Sequence, residues 1–187
     1  MCLAPLNPVD LDERTFDARQ TFKDVFVLLL EARQVFEGLA PSTIHTASST
    51  VTSSLMESVH KYRKELYALP QNEQYSRHII GKHGSWMGYI CRWEAHVRSS
   101  IHSHPSFAYY QVLEGEFKMD LYDPVGNCQA RHSRTLNMYA GDHACEHRSR
   151  GHYDNLIHKI STRDTPGFTL HLFSENPATG RHYETVD

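Results

Sequence analysis

Two histidines separated by one residue, His102 and His104, form the first pattern in this sequence that could do chemistry. In an extended strand, residues i and i+2 point to the same side, so the two imidazoles would face one point. Imidazole is the side chain that most often binds metals in proteins. Because 14 of the 187 residues are histidine, a single His-x-His pair is expected by chance. The surrounding pattern therefore has to show whether the pair is a metal site.

The segment that begins with this pair extends the pattern. HSHPSFAYYQVLEGEF resembles the first cupin motif, in which His-x-His and a proline lead into an aromatic strand and a glycine turn. Cupins usually carry a glutamate ligand shortly after the pair, but residues 106–109 read Ser-Phe-Ala-Tyr. Further histidines occur in later strand-like segments, at His152, His158 and His171. The resemblance therefore implies a metal bound by imidazoles alone.

Several short motifs between residues 75 and 177 resemble the cysteine dioxygenase family, the three-histidine thiol dioxygenases of the cupin type. Tyr75-Ser-Arg77 resembles the family's Tyr-x-Arg, whose guanidinium binds the substrate carboxylate. WEAHVRSSIHSH resembles the motif with two iron ligands, and NLIHK at 155–159 resembles the segment with the third. The resemblance implies Tyr75 and Arg77 at the substrate and iron(II) on His102, His104 and His158.

The last motif contains both a match and a departure. Thr169-Leu-His171-Leu-Phe173 resembles the family's Ser-Leu-His-Leu-Tyr. It implies that Thr169 and His171 form a hydrogen-bonded pair that fixes a histidine tautomer near the metal. The family's tyrosine is Phe173 here, and its crosslinking cysteine falls at Ala108. We therefore expect a site without a thioether crosslink.

The resemblance implies an enzyme, an iron(II)-dependent oxidoreductase that adds both atoms of O₂ to the sulfur of a small thiol bearing a carboxylate. L-Cysteine, oxidised to cysteine sulfinate, is the leading expected substrate. A mercapto acid of the 3-mercaptopropionate type stays open, because Phe173 and Ala108 change the pocket. A metal-binding cupin without enzymatic activity also stays open. Zinc is the alternative metal, and the spacing of the histidines alone does not distinguish zinc from iron.

Other histidines offer alternatives to His158 as the third ligand. If the alignment is shifted, His147 or His152 replaces it, and His143 belongs to the same region. We expect Cys91 and Trp93 to be structural core residues. The remaining histidines are expected to be solvated or locally bonded: His45, His60, His78, His83, His96, His132 and His182.

The N-terminal third is predicted to be helical. From Thr21, apolar residues recur at steps of three and four as far as Phe36, which is typical of one helix face. A second amphipathic helix is predicted from about Ser53 to Leu69. A Ser/Thr-rich stretch, STIHTASST, links the two.

The rest of the chain reads as short β-strands from Tyr75 onward. Aromatic and β-branched runs alternate with turn segments such as EGE, DPVGN, AGD and TPG. Several strands without intervening helices indicate an antiparallel barrel or sandwich. We therefore predict one mostly β domain over 1–187, with a helical N-terminal layer over 1–70 and a cupin or jelly-roll barrel over 71–187.

Composition limits the partners. The net charge of −3 is nearly balanced, which argues against nucleic acid or an anionic membrane as a partner. Apolar runs are too short to span a bilayer, and the first residues do not resemble a secretory signal. The four cysteines lie far apart and form no CxxC motif, which favours a reduced, cytoplasmic protein. A monomer whose only partners are its thiol and O₂ is expected.

Overall fold

The computed structural model describes residues 18–37, 50–71, 74–126, 128–147 and 154–186. Within these ranges, four helices come first and ten strands follow, and a short 3-10 helix at Pro177–Thr179 lies between the last two strands. The helices are α1 (Ala18–Thr21), α2 (Lys23–Glu37), α3 (Thr50–His60) and α4 (Arg63–Ala68). The strands are β1 (Tyr75–His83), β2 (Trp86–Trp93), β3 (Ile101–His104), β4 (Phe107–Glu114), β5 (Phe117–Gly126), β6 (Gln129–Met138), β7 (His143–His147), β8 (Asn155–Thr162), β9 (Gly167–Phe173) and β10 (His182–Thr185).

The strands form two sheets. One has the order β1-β2-β9-β4-β7, and the other, β10-β3-β8-β5-β6, closes on itself as a barrel. Every pairing is antiparallel except the one between β10 and β6. The predicted mostly β fold with a helical N-terminal part is confirmed.

The helical layer covers the outer face of the first sheet. Phe26 on α2 lies over Gly81 and Gly88, which face each other on β1 and β2. A Cβ atom at Gly81 would lie 2.1 Å from the Phe26 ring, and one at Gly88 would lie 2.5 Å from it. Neither position has space for a larger residue, so these two glycines create the surface that receives α2.

The predicted helix over 53–69 is interrupted in the structure. It divides into α3 and α4, and Tyr62 lies at the junction with non-helical backbone angles. The Tyr62 ring packs edge-on against Phe22, with the ring centroids 5.4 Å apart. This contact with the first helical segment is tertiary, so the regular spacing of apolar residues did not reveal the break.

Strand alternation separates the two larger hydrophobic clusters of the described residues. Tyr109 packs in the core shared with the helices, whereas Tyr110 packs in the core that both sheets enclose. Cys91 and Cys145 are buried free thiols. None of the described helices is both long and apolar enough to cross a membrane.

Candidate metal centre

Strands β3 and β8 bring three histidines together. His102 and His158 are directly opposite each other in the antiparallel pair, and His104 lies two residues along β3. One nitrogen from each ring can be chosen so that the three lie within 4.8 Å of one another. Within the described ranges, no other three His, Cys, Asp or Glu side chains form such a group. The structure thus brings together the three residues predicted as ligands, while their binding of a metal stays a prediction.

Backbone carbonyl groups orient two of these rings. His102 Nδ1 lies 3.0 Å from the Ser100 oxygen, and His158 Nδ1 lies 2.8 Å from the Leu156 oxygen. A carbonyl only accepts hydrogen bonds, so each Nδ1 carries the proton and each Nε2 keeps its lone pair. This is the tautomer that a metal ligand needs when Nε2 is the donor atom.

The donor set fits a metal ion. His104 Nε2 and His158 Nε2 face each other at 3.5 Å, although the His158 nitrogen has no hydrogen to donate. No carboxylate side chain is found among the cavity-lining residues in the described part of the chain. Neutral nitrogen donors suit iron(II), zinc and related ions. Hydrogen bonds between the three rings therefore satisfy their ring nitrogens poorly, whereas a metal ion bound by all three suits them.

Burial keeps these imidazoles neutral. Desolvation lowers the pKa of His102 from 6.5 to about 4. It also lowers the pKa of His104 and of His158 well below the usual value, and neighbouring histidines contribute in the same direction. Neutral imidazole is the form that binds metal, so protons compete little with a metal at neutral pH.

Phe173 forms the wall beside the second histidine. Its ring stacks on His104 with the centroids 4.7 Å apart and an interplanar angle of 15°. Phe173 on β9 lies directly opposite Ala108 on β4, and both residues are buried. These are the two positions at which the sequence departs from the cysteine dioxygenase pattern. They are cross-strand neighbours, and they offer a ring without a hydroxyl group and a methyl group without sulfur.

A buried hydrogen-bonded chain lies next to the three histidines. Trp93 Nε1 donates to Thr169 Oγ1 at 2.9 Å, and Thr169 Oγ1 lies 2.8 Å from His171 Nε2. The indole can only donate, so the Thr169 hydroxyl hydrogen remains available for His171 Nε2. The Cys91 thiol also contacts this hydroxyl, but sulfur is a weaker acceptor than an imidazole nitrogen. The proton of His171 is therefore placed on Nδ1.

Desolvation strongly affects His171. Burial, with a smaller contribution from the positive charge of Arg77, lowers the pKa of His171 to about 3. The ring lines the same cavity as the three clustered histidines. Thr169 and His171 are thus a hydrogen-bonded pair at the cavity, as their motif implied, and their part in a reaction stays a prediction.

Arg77 supplies the positive charge of the cavity. It lies on β1 opposite Cys91 and is the only Asp, Glu, Lys or Arg among the described lining residues. Its charge lowers the pKa of His102, His104 and His171, so the guanidinium lies close enough to influence these three rings. Tyr75 lines the same cavity and stacks on Trp93 with the centroids 4.5 Å apart.

The cavity itself is small, with a volume of about 50 Å³. A single water molecule needs roughly 10–15 Å³ when the volume is measured in the same way. The cavity therefore suits a molecule of a few heavy atoms. Aromatic and aliphatic side chains form most of the cavity wall. Besides the residues already described, Tyr89, Ser99, Ile160 and Pro177 line it.

The alternative third ligands lie elsewhere or outside the described residues. His143 is buried on β7, where its ring stacks on Tyr109 with the centroids 5.9 Å apart. His147 is the last residue of the same strand, and its side chain lies outside the described part of the structure. His152 also lies outside the described residues. Among the histidines whose side chains are described, only His158 completes the group.

Three predicted bystanders have a closer relation to the site or to the core. His182 on β10 lies opposite His102, and its Nδ1 is 3.0 Å from Ser100 Oγ. His78 is buried rather than solvated. Trp93 is buried as expected, but it also lines the cavity and orients Thr169. No local signal identified His182, because its place depends on the pairing of the last strand with β3.

Comparisons with known proteins show the fold and no closer relationship. No protein-family model matches the chain, and no curated protein matches it in sequence. The crystal structure of DMSP lyase DddQ from Ruegeria pomeroyi is similar over 82% of this chain and 91% of that one, with 17% identity and a TM-score of 0.50. A chain from the crystal structures of the DMSP lyases RdDddP and RnDddQII matches over 88% and 100%, with 14% identity and a TM-score of 0.50. A cupin superfamily protein from Desulfitobacterium hafniense covers 59% and 87%, with 12% identity and a TM-score of 0.45.

The two similarities with a TM-score of 0.50 agree with the architecture built from the strands. The chain has a cupin barrel preceded by a small helical part, as the sequence predicted. It also has a three-histidine group able to hold a metal. At identities below one fifth, the activities of these neighbours do not transfer with the fold.

Proposed function

We propose that this protein is an iron(II)-dependent thiol dioxygenase that acts on a small thiol bearing a carboxylate, with L-cysteine as the leading substrate. The observation that carries the proposal is one small cavity lined by both a three-imidazole group and a single guanidinium. The reaction is RSH + O₂ → RSO₂⁻ + H⁺. Sulfur loses four electrons and O₂ gains four, so no other reductant is needed.

His102, His104 and His158 would hold the metal through their Nε2 atoms. Iron(II) bound by three neutral nitrogens supplies open positions at which a thiolate and O₂ can meet. The carbonyl groups of Ser100 and Leu156 keep two of these imidazoles in the required tautomer. Aromatic walls, including Phe173 against His104, shield the buried His104 and His158 from bulk water, whereas His102 is half-buried.

Arg77 would bind the substrate carboxylate. A guanidinium can donate two parallel hydrogen bonds to a carboxylate, which a lysine ammonium does not reproduce. No acidic side chain among the described lining residues competes for it. Tyr75 packs beside Arg77, whose guanidinium carbon lies 5.9 Å from the Tyr75 ring centroid. The proposal therefore places the carboxylate on the β1 side of the cavity and the sulfur on the histidine side.

His171 would position the bound thiol from the other side. Thr169 keeps its Nε2 occupied, so the Nδ1–H is the polar group that the ring can offer to a substrate. The low pKa of His171 keeps this ring neutral at physiological pH. A neutral donor can hydrogen-bond sulfur or oxygen without repelling Arg77.

A mercapto acid of the 3-mercaptopropionate type is the second candidate substrate. The observation that favours it is Phe173, which places no hydroxyl group next to His104 to hold a substrate amine. Arg77 would bind the carboxylate of either substrate. We further propose that the enzyme is a cytoplasmic monomer, without a nucleic acid or membrane partner.

Anaerobic purification followed by metal analysis and oxygen uptake tests the proposal. We expect one iron per chain and one O₂ consumed per sulfinate formed, with both oxygen atoms derived from ¹⁸O₂. The panel contains L-cysteine, 3-mercaptopropionate, cysteamine, which lacks the carboxylate, and DMSP, which lacks a thiol. Rapid oxidation of cysteamine would contradict the role of Arg77. Cleavage of DMSP without oxygen uptake would instead favour a lyase, and metal binding without any turnover would favour the non-enzymatic cupin.

A further inference from the structure

We infer that Glu146 is a positioning residue for His158, acting through the backbone of Leu156. The inference rests on the three-histidine metal site of the proposed function but not on thiol oxidation. Glu146 lies on β7 and does not line the cavity. Its place in the fold explains how an irregular strand delivers a correctly oriented third imidazole.

Strand β8 is irregular just before His158. His102 pairs with His158 and His104 pairs with Asn155, so two steps along β3 match three steps along β8. The additional residue forms a β-bulge, which bends a strand and redirects its side chains. Leu156 lies in this bulge with φ of 47°, a left-handed conformation that is unfavourable for residues with a Cβ. Leu156 is also buried, so some local contact must stabilise this backbone.

Glu146 provides that contact. Its Oε2 atom accepts the Leu156 backbone N–H at 2.7 Å, a distance typical of a charge-assisted hydrogen bond. Its backbone oxygen accepts from Asn155 Nδ2 at 2.8 Å, and the same amide donates to the Pro105 oxygen at 3.1 Å. The bulge is thus attached to β7 by Glu146 and to the end of β3 by Asn155.

The same bulge orients the imidazole. The Leu156 oxygen accepts from His158 Nδ1 at 2.8 Å, which leaves Nε2 facing His104 Nε2. If the Leu156 peptide units rotated toward a relaxed conformation, this carbonyl would move away from Nδ1. His102 uses the same i−2 carbonyl arrangement through Ser100, but Ser100 does not adopt a left-handed conformation. Only the His158 arrangement therefore needs an additional stabilising contact, which is the hydrogen bond from the Leu156 N–H to Glu146.

The test compares Zn(II) affinity and histidine tautomers in the full-length protein. Glu146→Leu removes the acceptor while keeping a similar volume, and we expect its dissociation constant for Zn(II) to rise about 10–100-fold. Long-range ¹H–¹⁵N NMR of the zinc-loaded protein should show that His158 loses its hydrogen-bonded Nδ1–H while His102 keeps it. Glu146→Gln, whose amide oxygen still accepts a hydrogen bond, should remain close to the wild-type protein.

Leu156→Gly supplies the most specific check. Glycine adopts positive φ without a steric penalty, so adding Leu156→Gly to Glu146→Leu should recover most of the lost Zn(II) affinity. Gln111→Leu is the matched control, because Gln111 is a buried polar residue on β4, next to β7, that hydrogen-bonds Tyr109 and the Thr52 carbonyl away from the cavity. It should lower stability without changing Zn(II) affinity.

Several results would overturn the inference. Wild-type Zn(II) affinity and an unchanged His158 tautomer in Glu146→Leu would refute it, as would an equal loss of affinity in Gln111→Leu. If Glu146→Leu does not fold, Glu146→Asp, which is shorter by one methylene, replaces it in the same comparison. Failure of the wild-type protein to bind any metal would overturn both this inference and the proposed function. If the Zn(II) affinities and the His158 tautomer are as expected but no thiol is oxidised, only the proposed function is overturned.

Discussion

Replacing Thr169 with valine tests the hydrogen-bonded chain beside the three histidines. Valine has nearly the same shape as threonine but lacks the hydroxyl that accepts from Trp93 Nε1 at 2.9 Å and contacts His171 Nε2 at 2.8 Å. The change leaves a buried indole N–H without its partner and frees His171 to move its proton to Nε2. We expect consequences for both stability and activity.

The magnitudes follow from the lost contacts. A buried donor left without a partner costs about 1–3 kcal/mol, and Thr169 is fully buried, so we expect the free energy of unfolding to fall by about 2 kcal/mol. A disturbed ring orientation beside a metal site commonly costs about 10–100-fold in activity. We therefore expect kcat/KM for the best thiol to fall by about that factor, with iron content unchanged, because Thr169 binds none of the three clustered histidines.

The assay combines oxygen uptake, thermal unfolding and histidine NMR. Thr169→Ser, which retains the hydroxyl, should restore both activity and the His171 Nδ1–H signal. Thr162→Val is the control, since Thr162 Oγ1 donates to the Glu94 carbonyl at 2.7 Å and accepts from Val97 N–H at 2.9 Å outside the cavity. It should lose similar stability and keep full activity. Native activity in Thr169→Val, with His171 still protonated on Nδ1, would refute the reasoning.

Three further predictions concern the positive charge of Arg77, the Phe173 ring in the cavity wall and the pH dependence that His171 gives to stability. Arg77→Lys should raise KM for carboxylate-bearing thiols at least tenfold, because one ammonium does not replace a bidentate guanidinium; an unchanged KM in steady-state kinetics would exclude Arg77 as the anchor. Phe173→Tyr should speed L-cysteine oxidation if the missing hydroxyl limits it, and intact mass should still show no crosslink, since Ala108 offers no sulfur; unchanged cysteine turnover beside good turnover of another thiol would exclude L-cysteine. The pKa of His171 is about 3 in the folded protein and about 6.5 in the unfolded chain. As the pH falls from 7.5 to 5, the unfolded state therefore takes up a proton at His171 and the folded state does not. This difference lowers the free energy of unfolding by about 2 kcal/mol over that pH range. Chemical denaturation of His171→Gln should show that much less pH dependence, whereas exposed His83→Gln should match the wild-type curve.

Much of the site follows from local spacing. The His-x-His pattern places His102 and His104 on one side of an extended strand, because side chains alternate with a period of two. The same alternation places Tyr110 in the core between the two sheets and Tyr109 in the core shared with the helices. The regular spacing of apolar residues in the first predicted helix likewise predicted the face that α2 buries, including Val25, Phe26 and Leu29. These features depend on neighbours within a few residues, and the sequence contains them directly.

The closure of the site depends on contacts between distant segments. His158 completes the histidine group because β3 and β8 pair in a register that places it opposite His102. Ala108 and Phe173 become neighbours only when β4 pairs with β9, and His182 approaches His102 only through β10. Tyr62, at the interruption between α3 and α4, packs against Phe22. The backbone N–H of the left-handed Leu156 donates to the Glu146 carboxylate. Each of these contacts joins two separate segments of the chain.

The physical reason is the range of the interactions. Propensity and periodicity act along the chain, so they determine which segments become helices or strands and which side of each is apolar. Strand register, bulges and buried hydrogen bonds are chosen by the free energy of packing the whole molecule. The sequence by itself therefore determined the barrel class and the histidines that could bind a metal. The tertiary structure decided which of them converge, in which tautomer, and which charge they face.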